Sequence, residues 1–187
     1  MLLGASIVGE HFVNGGLRAA IVIAPPPPAQ SGGMAAALQN GDLAIPVANV
    51  EPAALHDTWG QARSGHSHTA IDIMAPRGTP ALAAADGVVL KLHASGPGGL
   101  TLYLADQQRT TIYYYAHLDA YAPQVREGLV VARGDVIGYV GTTGNAPANT
   151  PHLHFGIEHL PPTGEWWKGE PINPYPVLVA HGRTFQR

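Results

Sequence analysis

Two histidines two positions apart share one face of a β-strand. In Pro151 to Glu158, His152 and His154 therefore stand side by side with Gly156 and Glu158, while Leu153, Phe155 and Ile157 face a core. Neighbouring Cβ atoms on such a face are about 6–7 Å apart, which suits one metal ion and its substrate. A second pair, His68 and Asp72, lies four apart. In a strand entered from a loop the two have the same parity, and on a helix the i,i+4 spacing would serve as well. Ile71 and Ile73, with Gly and Pro nearby, favour the strand. A carboxylate between two isoleucines is costly unless it is paired or binds a cation. His68, Asp72 and one of His152 or His154 give two imidazoles and a carboxylate. Three protein ligands with one position open is the catalytic zinc arrangement, in which bound water has its pKa lowered toward about 7. The same donors suit non-haem Fe(II), a chemistry that needs a co-substrate pocket as well.

Composition narrows the choices. The 187 residues suit one domain plus a tail, or two small domains. Hydrophobic residues reach 45%, enough for a core, whereas charged residues are only 12% against about 25% in ordinary domains. Net charge is −3 and there is no long basic run, so nucleic acid is not an expected partner. There is no Cys, which excludes disulfides, thiolate metal sites and a Cys nucleophile. Ten His leave imidazole and carboxylate as the metal donors.

The elements that must position these groups follow in order. Residues 1–42 read as an N-terminal tail and linker. Met1 to Val8 lacks the positive start of a signal peptide, and the apolar run Ala19 to Ala24 is six residues long, short for a signal or a membrane helix. Pro25 to Pro28 is an extended spacer, and residues 34–40 suit a helical turn or two. From Leu43 the pattern is β. Leu43 to Val47 is a short edge segment, because Pro46 cannot donate to a ladder. Ala70 to Met74 alternates, with Ile71 and Ile73 inward and Ala70, Asp72 and Met74 on the other face. Ala81 to Leu92 suggests a hairpin about Asp86-Gly87, and Leu100 to Ala105 and Thr110 to His117 are further strands. Val130 to Val140 carries a turn at Gly134-Asp135. Gly141 to Thr150 is a loop, and Pro161 to Pro176 is Pro-rich. The expected fold is all-β: a small antiparallel sheet, barrel-like or sandwich, spanning residues 43–178, with 179–187 as a C-terminal tail.

Seven stretches carry a family resemblance: HTAID (68–72), APRGTP (75–80), ADGV (85–88), YAHL (115–118), GDVIG (134–138), GTTG (141–144) and PHLHF (151–155). In this order they resemble the lysostaphin/LytM-type zinc metallopeptidases, which cut peptide bonds in bacterial cell walls. The resemblance covers roughly residues 43–178. It implies a lysostaphin-like, duplicated-hybrid-motif fold with an open active-site groove and one zinc ion per chain. It also implies that His68, Asp72 and His154 are the zinc ligands and that His117 and His152 are the catalytic histidines. Zinc would then polarise the scissile carbonyl and activate water, with the two histidines handling protons. Many members have Gly where this chain has Ala70, a methyl that could crowd the metal. The implied partner is the peptide of peptidoglycan, in the cell envelope, periplasmic or extracellular. Membrane anchoring would pass through an N-terminal segment missing from this chain or unrecognised in it. A chain without a recognisable added wall-binding domain fits D,D-endopeptidase action on directly cross-linked stems better than pentaglycine cleavage.

Other residues admit plainer readings. His66 is two before His68 but six from Asp72. His11, His56, His93, His159 and His181 suit the surface or packing, and Trp59, Trp166 and Trp167 suit either a groove wall or the core. Arg63 either holds a substrate carboxylate or pairs with an acidic neighbour, and Glu158 either backs the metal ligands or is solvated. Two other function classes remain. A non-catalytic wall-binding protein, or an activator of a wall amidase, would typically lack some of the five site residues, and all are present. A lipoyl-type carrier would need a modifiable lysine at a hairpin and has no use for His-x-His.

Overall fold

The computed structural model describes residues 43–63 and 65–187. The lead-in, the Pro-rich spacer and the turns expected at 34–40 lie outside the described residues. In chain order the strands are β1 (Leu43–Ala44), β2 (Ala62–Arg63), β3 (His66–Ser67), β4 (Ile71–Met74), β5 (Pro80–Leu82), β6 (Gly87–Ser95), β7 (Gly99–Asp106), β8 (Thr111–Tyr121), β9 (Val130–Val131), β10 (Val136–Val140), β11 (His152–His159), β12 (Glu170–Ile172) and β13 (Gly182–Arg183). A helix, α1, spans Pro174–His181.

Strand β8 is the spine of an antiparallel sheet. One edge pairs with β7, and the other pairs with β11 and then with β10. The full path runs β12–β11–β8–β7–β6–β9, with β4 added on β11 and β5 on β10. The sheet stays open and does not close as a barrel, because its outer strands pair with nothing further along this path. Alternation explains the inner face. Leu102, Leu104, Tyr113, Tyr115, Phe155 and Ile157 are all fully buried, and Ile71 and Ile73 join them from β4. The Tyr115 hydroxyl accepts the buried Ala84 N–H at 2.8 Å, so the phenol enters the core without an orphaned polar group.

Three local expectations change. The Asp86-Gly87 hairpin does not form: β5 pairs with β10, and β6 pairs with β7 and β9. Asp86 instead accepts the Arg133 N–H at 2.7 Å, tying two turns together. The segment from Leu43 is an edge, in a two-stranded sheet where β1 pairs in parallel with β13, but a covered one, since residues 43–48 are buried. The Pro-rich stretch contains the start of α1. Its prolines occupy the first turn, where no intrahelical N–H is required, and Asn173 caps the helix by accepting the Tyr175 N–H at 2.9 Å. Residues 179–187, set apart in sequence as a tail, thus hold the end of α1 and β13, and Arg187 donates to the Gly134 carbonyl at 2.9 Å. Among the described residues, no helix is long and apolar enough to cross a membrane.

Tyr115→Phe should keep the native fold but leave the Ala84 N–H unpaired. Urea unfolding should show a loss of about 1–3 kcal/mol, the usual cost of an orphaned buried donor.

Candidate active site

The pairing of β4 with β11 sets Asp72 directly opposite His154 and Met74 opposite His152. Their shared outer face is the floor of a groove of about 610 Å³. His68 reaches it from the loop before β4 and is buried, with a relative exposure of 3%. His68 Nε2, His154 Nδ1 and Asp72 Oδ1 form a triangle with sides of 3.0, 3.2 and 3.3 Å. Zinc bonds of about 2.0–2.1 Å in a tetrahedron require ligand separations of roughly 3.3–3.4 Å. Two imidazoles and a carboxylate at these separations can therefore hold a zinc ion with little movement. His152 Nε2 lies farther out, 3.8 Å from Asp72 Oδ1.

Burial alone would raise the Asp72 carboxyl. Hydrogen bonding and charge from His154 and His68 outweigh it and hold the group well below the usual carboxylate range. Burial likewise lowers His154, against the opposing pull of Asp72, which favours the neutral imidazole a metal needs.

Backbone carbonyls decide the tautomers. Thr58 O lies 2.8 Å from His68 Nδ1, Thr143 O lies 2.8 Å from His117 Nδ1, and Thr150 O lies 2.7 Å from His152 Nδ1. A carbonyl can only accept, so each Nδ1 carries a proton, and in the neutral ring the lone pair is then on Nε2. Thr58 serves twice, because its Oγ1 also accepts the Asp72 N–H at 2.9 Å. Sequence reasoning missed these threonines. A backbone carbonyl leaves no trace in residue type, so no signal was available.

His117 arrives through a bulge. Between the pairs Leu102–Tyr115 and Leu100–Leu118, Ala116 and His117 oppose the single residue Thr101. Plain alternation would send His117 into the core with Tyr113 and Tyr115. The extra residue turns it to the groove and returns Leu118 to the core. His117 takes φ 61°, the left-handed region that is costly for a side chain and common at functional positions. Burial lowers its pKa to about 4, with His154 and His152 adding to the effect and the Thr143 carbonyl opposing it. The His117 ring lies edge-on to His152 and His154, with centroids 5.0 and 5.6 Å away.

All five expected site residues thus line one groove. Ala70 does not: it is 1% exposed, and its methyl lies over the bare Gly156, 3.9 Å from where a side chain there would begin. His66, Arg63 and Tyr114 line the groove, whereas the three tryptophans do not. Trp166 packs on Tyr103 at 4.6 Å, and Trp167 is exposed. Glu158 is half-buried beyond Tyr114, and burial raises its carboxyl.

Comparison with known proteins gives a consistent picture. Residues 66–174 match the model of peptidase family M23. The chain is 33% identical over 151 residues to an L-Ala–D-Glu endopeptidase of Bacillus subtilis, covering 76% of this chain and 45% of that protein. It is 39% identical over 113 residues to the DD-carboxypeptidase/endopeptidase Mpg of Neisseria meningitidis, covering 60% and 23%. The chain therefore spans less than half the length of either relative. The catalytic domain of lysostaphin from Staphylococcus simulans superposes with a TM-score of 0.53 at 25% identity, covering 75% of this chain and 94% of that domain.

Zinc titrated into metal-free protein should bind at one ion per chain. His154→Ala or Asp72→Asn should reduce retained zinc, read by elemental analysis, to about a tenth or less. Full occupancy in either variant would remove that residue from the ligand set.

Proposed function

The chain belongs to peptidase family M23, and from that membership we propose that it is a zinc-dependent endopeptidase acting on peptide cross-links of bacterial peptidoglycan, outside the cytoplasm. The observation that carries this reading is the convergence in one groove of a zinc-sized ligand triangle with His117 and His152. His68, Asp72 and His154 are the proposed ligands. A zinc ion held there supplies a Lewis acid for the scissile carbonyl and lowers the pKa of a water.

The proton work falls to His117 and His152. Each has Nδ1–H tied to a fixed carbonyl, so neither ring can swing and each offers Nε2. With its pKa lowered to about 4, His117 is neutral at pH 7 and able to accept a proton. One of the pair removes a proton from the attacking water at Nε2. The single imidazolium so formed steadies developing negative charge and returns that same proton to the leaving amine.

For the bond cleaved, we favour a D,D-cross-link between directly joined stems. Relatives named for D,D-peptide bonds, from Neisseria meningitidis and Vibrio cholerae, reach 39% and 37% identity, against 32% for a glycyl-glycine endopeptidase of Staphylococcus capitis.

Zinc-loaded protein should cleave purified muropeptide dimers, with mass spectrometry showing a break at the D,D-bond, and should leave a pentaglycine peptide intact. The opposite pattern overturns the bond assignment. Cleavage of neither, together with stimulation of a wall amidase, would replace the hydrolase reading with an activator. His117→Asn, chosen because Asn tolerates left-handed backbone, should retain its zinc and lose about 10²–10⁴ in turnover.

A further inference from the structure

Among the described residues lining the groove, Arg63 is the one Lys or Arg and Asp72 the one Asp or Glu. Arg63 ends β2 in a small hairpin with β3 that stands outside the main sheet. Its Nη2 donates to Asp72 Oδ2 at 2.5 Å, while Asp72 Oδ1 belongs to the ligand triangle. The carboxylate is thus divided, one oxygen toward the metal position and the other toward the guanidinium. A guanidinium carries five N–H donors in a planar fork, more than one carboxylate oxygen can use. The Arg63 side chain is also 38% exposed, so solvent and ligand can reach it.

We propose that Arg63 binds a carboxylate on the residue that supplies the leaving amine, and so selects peptides that carry one there. The inference rests on the endopeptidase reading above. In a D,D-cross-link to a diaminopimelate-type residue, the scissile nitrogen is bonded to a carbon that bears a free carboxylate. That carboxylate carbon lies about 3–4 Å from the carbonyl carbon under attack, by ordinary bond lengths. Arg63 reaches the same range, because its Nη2 touches the second oxygen of a carboxylate whose first oxygen is in the ligand triangle. In a glycine bridge the corresponding carbon carries no carboxylate, and the fork has nothing to grip. Fork geometry favours carboxylate over any neutral group at this place.

The test uses two synthetic peptides that differ only in a carboxylate or a carboxamide on the amine-side residue. Zinc-loaded wild-type protein should favour the carboxylate by about 10–100-fold in kcat/KM, mostly through KM, the range for hydrogen bonds to charged groups. Arg63→Gln should erase that preference while zinc content stays at the wild-type level, and Arg63→Lys should restore part of it. Equal use of the two peptides by wild type overturns the proposal. So does an Arg63→Gln variant that loses both activities alike together with zinc, since Arg63 then only positions Asp72. Calorimetry with the amine-side product peptides reads binding without turnover. If wild type cuts neither substrate yet binds the carboxylate product through Arg63, the binding site stands and the endopeptidase reading falls. If the carboxylate and carboxamide products bind equally, the site falls as well.

Discussion

A carboxylate held between two core isoleucines must be compensated, and the site is built around that requirement. Ile71 and Ile73 are buried on the inner face of β4, so Asp72 stands on the outer face at the next pleat. A slip of one residue would bury the carboxylate and expose both isoleucines, which the hydrophobic term forbids. That locks the register of β4 against β11 and sets Asp72 opposite His154. Compensation then comes from every side: His154 and His68 on one oxygen, Arg63 on the other, and the Thr58 hydroxyl on the backbone N–H. The result is half-buried, acidic and aimed, which is what a metal-binding carboxylate requires.

The second device is the bulge in β8. It moves one imidazole across the sheet without disturbing the core on either side of it. Its backbone is held by the His117 N–H donating to the Gly98 carbonyl at 2.8 Å, and its ring by the Thr143 carbonyl. Thr143 can approach because Gly99 and Gly144 have no side chains. A Cβ on Gly99 would meet Thr143 Oγ1 at 2.2 Å, and one on Gly144 would meet Gly99 N at 2.3 Å. The same threonine donates to the Leu118 carbonyl at 2.7 Å and accepts the Leu100 N–H at 3.0 Å, fastening the loop to both strands. The strain at His117 is thus carried by a fully bonded surrounding, the usual condition for its persistence.

These two constraints give the groove its chemistry. Its lining carries five imidazoles, three of them held at Nδ1 by a backbone carbonyl, one compensated carboxylate and one guanidinium. Low overall charge suits an extended peptide backbone, and the single cation offers a point where peptides with and without a carboxylate can be told apart.

Spacing in the chain determined a good deal. The alternation of Leu153, Phe155 and Ile157 with His152 and His154, and of Ile71 and Ile73 with Asp72, is a period-two signal that only a strand with one buried face satisfies. Residue type limited the metal donors to His and carboxylate, and the run of motifs pointed to the family. Partner strands were not legible. The Asp86-Gly87 turn looked like a hairpin because local turn chemistry says nothing about which distant strand, β10 or β7, offers the better face. Proline at 174 and 176 hid a helix, since the same residues break one only beyond its first turn. The resemblance already implied His154 as a ligand; the register that sets it opposite Asp72, the turning of His117 out of the core, and the threonine carbonyls behind the Nδ1 atoms of His68, His117 and His152 belong to the tertiary structure alone. Each depends on a register, a bulge or a backbone group supplied from residues tens of positions away or carrying no side-chain signature, and no local pattern encodes those.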